Sequence, residues 1–403
     1  MFELHLAFAT RLRGLSCVQG ASGQMRNPGQ KAFGPGLSST DPLGHEQFAI
    51  CSIRSEQYDM ATLKNRRILL ARRPTGEPSE ADFTFSEAEL EDPQPGRMLL
   101  RTLWLSLDPY MRGRMKTEKS YAPPVGIGDV MVGGTVSEVV ASKLENYAPG
   151  DIVEGRTGWQ EYALSDGTGL RKVNPALAPI TTALGVLGMP GRTAYFGLLS
   201  VGQPKPGETV VISAAAGAVG AVVGQLAKIK GCHVVGIAGA REKCDYVVNA
   251  LGFDACVSHH EPDLPHQLEK ACPKGVDVYF ENVAGRLFEA VLPLLNDFAR
   301  IPVCGLIAHY NESQLPEGPN QVPLFLRTIL HHRLTVRGFI SSDFASQQES
   351  FLNDMSHWVR EGRVKYREDI VDGLENAPKA FQRLFRGENF GKLLIKVAKP
   401  LNE

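Results

Sequence analysis

The stretch TVVISAAAGAVGAVVGQLAKIKG, Thr209 to Gly231, changes its hydrophobic pattern halfway along. Thr209–Ser213 is short, β-branched and apolar, which predicts a buried strand of a parallel sheet. From Val219 onward the apolar residues follow the spacing of an amphipathic helix. The small residues between them therefore lie on a strand-to-helix turn. At such a turn a phosphate group can approach the backbone and the positive end of the helix dipole.

This turn matches the dinucleotide-binding fingerprint with one change. Ala215 takes the first glycine position, and Gly217 and Gly220 take the second and third. Gly217 would let a pyrophosphate come close, and Gly220 would let the helix pack tightly on the strand. The alternative is an alanine-rich turn that only packs well. The predicted strand before it and the helix after it favour dinucleotide binding.

Length and charge limit the classes of protein to which this chain can belong. Its 403 residues are too many for one ordinary core, so we expect two domains. The formal net charge is −1 without a basic block, which argues against nucleic acid or an anionic membrane surface as a partner. No run of about 18 apolar residues is present, so we expect no membrane-spanning segment.

The cysteine pattern argues against a disulfide framework and against zinc. The seven cysteines are an odd number, widely spaced and without a CxxC pair. They are Cys17, Cys51, Cys232, Cys244, Cys256, Cys272 and Cys304. We therefore expect a reducing, cytoplasmic location and no metal site. The tripeptide Gly44–Glu46 looks like a zinc-ligand motif, and we interpret it as a coincidence.

Composition and periodicity divide the chain into three parts. Residues 1–59 are rich in Gly, Ser, Pro and Gln, which we interpret as a disordered or wrongly assigned upstream extension. Residues 60–190 and 361–403 carry short strand patterns, which predict a mainly antiparallel, barrel-like domain. In residues 191–360 strands and helices alternate, which predicts a doubly wound parallel sheet and an α/β fold. The strand candidates there are Thr209–Ser213, His233–Ile237, Val276–Phe280, Arg300–Cys304 and Leu334–Phe339.

The end of the second strand indicates which dinucleotide is preferred. A protein that binds NAD places an Asp or Glu there for the ribose hydroxyls, whereas this chain has Gly239 and Ala240. Arg241 and Lys243 follow, with Glu242 between them. Two cations without the acid favour a 2′-phosphate, so we predict NADP(H) over NAD.

Six motifs occur in the order found in one family. They are LSLDPYMRGRM (Leu105–Met115), MPGRTAYFGL, AAAGAVGAVVGQLAKIKG, YFENVAG, VCGLIAHYN and GENFGK. From about Met60 to Val397 the chain resembles the zinc-independent medium-chain dehydrogenases/reductases, in particular the prostaglandin and alkenal double-bond reductases. The resemblance is strongest to the bacterial NADPH-dependent curcumin reductases. It implies a GroES-like catalytic domain, an inserted Rossmann domain and a homodimer.

The resemblance also implies a set of cofactor-binding residues. Gly217, Ala218, Val219 and Gly220 would hold the pyrophosphate, and Lys243 the 2′-phosphate. The remaining residues would line the cofactor and its nicotinamide end: Asn282, Cys304, Gly305, Tyr310, Phe339, Ile340, Ser341 and Asn389. The chain departs from its eukaryotic relatives at His259, where they place a tyrosine near the adenosine. The adenosine contacts are therefore open.

The family's reaction is reduction of the carbon–carbon double bond of α,β-unsaturated ketones and aldehydes, such as alkenals and curcumin-like enones. Negative charge then builds on the carbonyl oxygen, and catalysis needs a hydrogen-bond donor in a site with little water. By the resemblance Tyr310 is that catalytic donor, and its phenol stays protonated at neutral pH. Tyr110 is a second candidate, for substrate contact, although its Asp-Pro-Tyr sequence is also ordinary turn chemistry.

Three other functions remain open at this point. Quinone reduction needs the same cofactor but no placed proton donor, so Tyr310 argues against it. Oxidation of a hydroxyl group on a lipid mediator is less favoured without zinc. A non-catalytic NADPH-binding protein would not need Tyr110 and Tyr310.

Overall fold

The computed structural model describes residues 64–312 and 320–401. The interpretation of residues 1–59, together with Cys17, Cys51 and the tripeptide Gly44–Glu46, concerns residues outside these ranges. Within them, no helix combines the length and the apolar character needed to cross a bilayer.

Both ends of the described chain form a β-rich domain. Short strands, of which the central ones are buried along most of their length, give a seven-stranded sheet of order β14-β15-β3-β4-β5-β7, with β6 beside β3, and a separate β1-β2 pair. Its helices are α1 (Tyr110–Arg114) and α9 (Ala377–Phe385). Its strands are β1 (Lys64–Leu70), β2 (Phe83–Glu89), β3 (Met98–Ser106), β4 (Thr135–Ser142), β5 (Ile152–Gly155), β6 (Tyr162–Ser165), β7 (Arg171–Lys172), β14 (Glu368–Asp372) and β15 (Lys392–Lys396).

The last strand confirms that the C-terminus returns to the first domain. β15 pairs with β3 in the antiparallel sense, through Leu394 opposite Ser106. β4 covers one edge of β3, while β6 and β15 share the other, so β3 is the central strand of this sheet. As a result, the loop before β15 lies next to the loop after β3, and both contribute to the site described below.

The middle of the chain forms the predicted parallel sheet. Its six strands run in the order β10-β9-β8-β11-β12-β13, and every pairing is parallel. The strands are β8 (Thr209–Ser213), β9 (His233–Ala238), β10 (Ala255–Ser258), β11 (Val276–Phe280), β12 (Leu295–Val303) and β13 (Thr335–Gly338). The helices are α2 (Met189–Phe196), α3 (Gly220–Ile229), α4 (Arg241–Asn249), α5 (Leu264–Ala271), α6 (Arg286–Val291), α7 (Val322–His332) and α8 (Gln348–Arg360).

Alternate side chains of the central strands show that the sheet is covered on both faces. Val210 and Ile212 belong to one apolar cluster, which includes residues of α3 and α8. Val211 belongs to a second cluster on the opposite face, which includes residues of α5 and α6. This is the doubly wound arrangement that the alternating strand and helix patterns predicted, and it confirms the fold class.

Two strands of the parallel sheet differ from the sequence prediction by more than one residue at an end. β12 begins at Leu295, five residues before the predicted start at Arg300. The prediction missed these residues because the exposed Asp297 and Phe298 interrupt the apolar run. β10 was not predicted at all, because it has only 4 residues and lies at the edge of the sheet, where its burial is incomplete. The division at residues 60–190, 191–360 and 361–403 stays a prediction.

Candidate active site

One cavity of about 580 Å³ opens beside the carboxyl ends of the parallel strands. Ligands of doubly wound sheets bind at this end, because the helices that follow point their positive ends there. All the predicted site residues lie in its wall: Tyr110, Gly217, Ala218, Val219, Gly220, Lys243, Asn282, Cys304, Gly305, Tyr310, Phe339, Ile340, Ser341 and Asn389. The structure thus brings the whole predicted set together, while the role of each residue stays a prediction.

The turn after β8 leaves no room for a side chain at the third fingerprint position. A Cβ at Gly220 would lie 2.3 Å from the backbone oxygen of Ala214, a residue that itself has a positive φ of 52°. At Gly217 the corresponding distance is 3.1 Å. The backbone of Gly391 lies against this turn and donates to the oxygen of Ala216 over 3.1 Å. The glycines therefore allow close packing of the helix on the strand, and the C-terminal loop forms the outer wall.

A buried carboxylate holds the ends of β8 and β11 together. Glu281, which is 1% exposed, accepts hydrogen bonds from the Ser213 hydroxyl and from the backbone N–H groups of Val283 and Ala284. The Asn282 side chain donates to the Ser213 oxygen over 2.7 Å. These bonds fix the position of Asn282 in the cavity wall.

Lys243 lies half-buried near the start of α4, against the C-terminal loop. Its ammonium donates to the backbone oxygens of Gly387 and Asn389, each over 2.6 Å, and burial lowers its pKa. A lysine ammonium has three donors, so one remains for an anion. The arrangement fits a phosphate contact, and it also ties the parallel-sheet domain to the β-rich domain.

Two histidines and an arginine lie in the cavity wall that also contains Lys243, and the arginine adds positive charge there. The rings of His259 and His260 are 4.3 Å apart, and Arg286 donates to the backbone oxygen of His259. Burial is the main cause that lowers the pKa of His259, followed by the charges of His260 and Arg286. All three residues line the cavity, but the sequence analysis singled out only His259.

Tyr310 follows a short 3-10 turn, Ile307–His309, after β12. Its hydroxyl oxygen accepts a hydrogen bond from the Leu306 N–H over 3.3 Å, and burial raises the pKa of the phenol. A Cβ at Gly305 would come within 3.1 Å of this hydroxyl. The phenol therefore keeps its proton, and that proton is free to be donated into the cavity.

Two further tyrosines lie on the same cavity wall. Tyr110, at the start of α1, has a pKa raised above its ordinary range, chiefly by burial and then by the charge of Asp108. Tyr121 lies in the cavity wall, and burial raises the pKa of its phenol. The sequence analysis missed Tyr121, because the loop that contains it carries no periodic pattern. An aromatic ring shortly after the Asp-Pro-Tyr turn was the available signal.

The loop after β3 is anchored by a buried ion pair. Lys392 and Asp108 are 4% and 6% exposed, and Lys392 Nζ lies 2.8 Å from Asp108 Oδ1. Lys392 also donates to the Leu107 oxygen over 2.8 Å, and the Ser106 hydroxyl donates to Asp108. The pair fixes the backbone just before Tyr110.

Arg112, 2% exposed, likewise has a structural role, since it donates to the backbone oxygens of Pro74 and Gly76.

Comparison with known proteins identifies the family of this chain. Residues 66–173 match a family described as the N-terminal domain of oxidoreductase, and residues 218–359 match the zinc-binding dehydrogenase family. The chain is 54% identical to NADPH-dependent curcumin reductase of Escherichia coli over 336 residues, which cover 83% of this chain and 97% of that protein. It is 42% identical to rabbit (Oryctolagus cuniculus) prostaglandin reductase 1, over 79% of this chain and 89% of that protein.

A solved structure shows the same likeness in three dimensions. CurA from Vibrio vulnificus in complex with NADPH matches with a TM-score of 0.81 and 50% identity, covering 83% of this chain and all of that one (100%). The chain is an oxidoreductase of the medium-chain dehydrogenase/reductase family. Within that family it belongs to the group that contains the curcumin and prostaglandin reductases.

The name of the second matching family raises the question of zinc. Among residues 64–312 and 320–401, no group of three or more His, Cys, Asp or Glu side chains has an arrangement that could hold a metal ion. Zinc independence stays a prediction.

Proposed function

We propose that the protein uses NADPH to reduce the carbon–carbon double bond of α,β-unsaturated ketones and aldehydes. The observation that carries this proposal is the neutral Tyr310 phenol, with its proton free, in the same cavity as the dinucleotide turn. The names of the relatives support it, since they describe NADPH-dependent curcumin and prostaglandin reductases.

The cavity wall fits NADPH at two independent points. Gly217 and Gly220 carry no side chain at the turn where a pyrophosphate would approach, at the start of α3. Lys243 keeps one donor for the 2′-phosphate, with Arg286 and His259 beside it. The nicotinamide would lie toward Cys304, Ile340 and Ser341, on the side of the cavity where Tyr310 is found.

The reaction requires little from the protein besides orientation and one donor. NADPH, when bound, supplies a hydride to the β-carbon of the substrate. Tyr310 donates a hydrogen bond to the substrate carbonyl oxygen, which stabilises the charge that develops there as an enolate. The raised pKa of the phenol keeps it in the donor form. Tyr110 would contact the substrate from the β-rich domain, held by the Lys392–Asp108 pair.

Consumption of NADPH tests the proposal. We would follow loss of NADPH absorbance with an enone, the matching saturated ketone and a quinone, and repeat each assay with Tyr310→Phe. We expect turnover of the enone, none of the saturated ketone, and a loss of kcat of about 100-fold or more in the variant, at unchanged NADPH affinity. Tyr147→Phe, which alters a tyrosine that packs on Lys172 outside the cavity, is the control. Preferred turnover of the quinone, unaffected by Tyr310→Phe, would replace this function with quinone reduction.

We further propose that the protein is a homodimer in the cytoplasm. Among the described residues, β13 pairs only with β12 at the end of the parallel sheet, and apolar side chains of the preceding helix α7 are exposed, Leu326 by 57% and Leu330 by 73%. A second copy would cover this surface. The free thiols among the described residues support a reducing compartment. Light scattering should give the molar mass of a dimer for the parent and that of a monomer for Val336→Lys. A monomeric parent would contradict the proposal.

A further inference from the structure

Two imidazole rings lie against the end of β9, the strand end at which a dinucleotide-binding protein holds the ribose. A Cβ at Gly239 would lie 3.0 Å from His260 Nε2 and 3.4 Å from His259 Nε2. A protein that prefers NAD places its acidic side chain at the end of this strand. In this chain a side chain at position 239 would meet two ring nitrogens instead. A group on the 2′ position of the ribose therefore faces imidazole.

Three hydrogen bonds hold the histidine turn against this strand end. The His259 N–H donates to the Ala238 oxygen over 2.9 Å. The Ser258 hydroxyl donates to the Gly239 oxygen, and the His260 N–H donates to Ser258 Oγ over 3.3 Å. The two rings, with 4.3 Å between their centroids, are therefore placed by an anchored backbone.

Both rings keep their nitrogens available to a ligand. Within residues 64–312 and 320–401, neither ring is hydrogen-bonded to another residue. His259 is half-buried, His260 is exposed, and both line the cavity. A neutral imidazole has one N–H, and protonation adds a second donor and a positive charge. A phosphate favours both changes, because hydrogen bonds between charged groups are the strong ones.

The surroundings of the pair favour the neutral ring as long as no anion is bound. Burial is the main cause that lowers the pKa of His259, followed by nearby positive charges. These charges belong to His260, Arg286 and Lys243. The carboxylates that neighbour this cluster along the chain are exposed, where water and salt screen them: Glu242, Glu261 and Asp263. A phosphate group, dianionic above its second pKa of about 6, would reverse this balance.

We propose that His259 and His260 bind the 2′-phosphate of NADPH with one of the two rings protonated, so that a proton from solvent enters the site together with the cofactor. NADH has no phosphate at this position and binds without the proton. The inference rests on the proposed function for the choice of cofactor, whereas reduction of the double bond has no part in it.

The dependence on pH follows from the charge of the ligand. An anion favours the imidazolium, so binding raises the pKa of the pair above its value in the free protein. The contribution of the pair to NADPH affinity is therefore complete below the pKa of the free protein, and it is lost as the pH rises through the pKa of the complex. The preference for NADPH over NADH decreases in the same range.

Isothermal titration calorimetry measures the proton directly. Each ligand would be titrated into the full-length protein at about pH 7.5 in two buffers of different ionisation enthalpy, and the difference in heat gives the protons taken up. The ligands are NADPH and NADH, with adenosine 2′,5′-bisphosphate and AMP to isolate the adenosine end. We expect uptake of roughly half to one proton with the two 2′-phosphorylated ligands and about none with the other two.

Affinities at several pH values provide a second measurement. Between about pH 6.5 and 8.5 we expect the Kd for NADPH to rise about tenfold and that for NADH to change less than about twofold. Titration of the phosphate itself would act in the opposite direction, since its dianion is the form present at the higher pH.

Three variants separate the histidines from Lys243, whose ammonium also titrates. His259→Gln/His260→Gln should abolish the proton uptake and raise the Kd for NADPH by about tenfold near pH 6.5, with NADH unaffected. Lys243→Met should keep the proton uptake. The control His266→Gln, which alters a side chain 70% exposed on α5 and outside the cavity, should behave like the parent.

Equal proton uptake for NADPH and NADH by the parent would overturn the proposal. Uptake that survives in His259→Gln/His260→Gln and disappears in Lys243→Met would also overturn it, because the proton would then belong to the lysine. If the double variant does not fold, His260→Gln, which alters an exposed side chain, should still reduce the uptake, and an unchanged uptake counts against the pair. Failure of the parent to reduce an enone counts instead against the proposed function, while the proton count still decides this inference.

Discussion

The buried pair Lys392–Asp108 provides the sharpest test of how the cavity wall is held. Replacement of Lys392 by Met keeps the stem of the side chain and removes the charge. Of its side-chain hydrogen bonds within residues 64–312 and 320–401, the Asp108 carboxylate, 6% exposed, then keeps the one from Ser106. A buried charge that loses its partner costs about 3–5 kcal/mol of unfolding free energy. With an unfolding entropy of about 2.1 cal/mol/K per residue, the roughly 330 described residues give about 0.7 kcal/mol/K, so we expect the melting midpoint to fall by about 4–7 °C.

Thermal melts of four proteins check this value. Lys392→Met should melt well below the parent, and the double variant Lys392→Met/Asp108→Leu should recover most of the loss, because no unpaired charge remains. Lys64→Met breaks the exposed pair with Glu87 and should lower the midpoint by about 1 °C or less. A midpoint of Lys392→Met within about 1 °C of the parent would refute the reasoning, since the carboxylate would then have found another partner.

Three further predictions concern the cofactor turn, the phosphate contact and the phenol. Gly220→Ala should weaken NADPH binding and lower the melting midpoint, because the added Cβ would lie 2.3 Å from the Ala214 oxygen. The control Gly113→Ala, whose added Cβ meets nothing within 4 Å, should change neither NADPH affinity nor the melting midpoint. NADPH titration and thermal melting measure the two effects. Lys243→Met should raise the Kd for NADPH by about 10–100-fold and leave the Kd for NADH nearly unchanged. An equal loss of affinity for both dinucleotides would contradict the assignment of Lys243 to the 2′-phosphate. Because the pKa of Tyr310 is raised, its phenol stays protonated as the pH rises. We therefore expect deprotonation of Tyr310 to cause no fall in kcat for an enone below about pH 10. A fall in kcat near pH 8 that is absent in Tyr310→Phe would contradict this prediction.

The strands that the sequence predicted best are those whose side chains are buried on both faces. β8 and β11 have the predicted bounds, because nearly all of their side chains are buried and most of them are β-branched or aromatic. β10 and β14 were missed for the opposite reason. β14, with the sequence EDIVD, carries three acidic residues and is recognisable only through its pairing with β15.

The sequence predicted those residues of the candidate site that belong to a local sequence pattern. Gly217, Gly220 and Lys243 follow from a strand, a turn and a strand end. The roles of Tyr310 and Tyr110 came from family resemblance, since a tyrosine in a loop has no pattern of its own. The pair Lys392–Asp108 joins residues 284 positions apart, so it could not be predicted before the fold was known.

The most direct test of the central claim is the position of the transferred hydride in the product. The protein would be given trans-4-phenyl-3-buten-2-one and NADPH carrying two deuterium atoms at C4, and the product examined by NMR. The account predicts 4-phenyl-2-butanone with one deuterium on the carbon that was β to the carbonyl, and a solvent proton on the α-carbon. Deuterium on the carbon that bears the oxygen, in an allylic alcohol with the double bond intact, would contradict it.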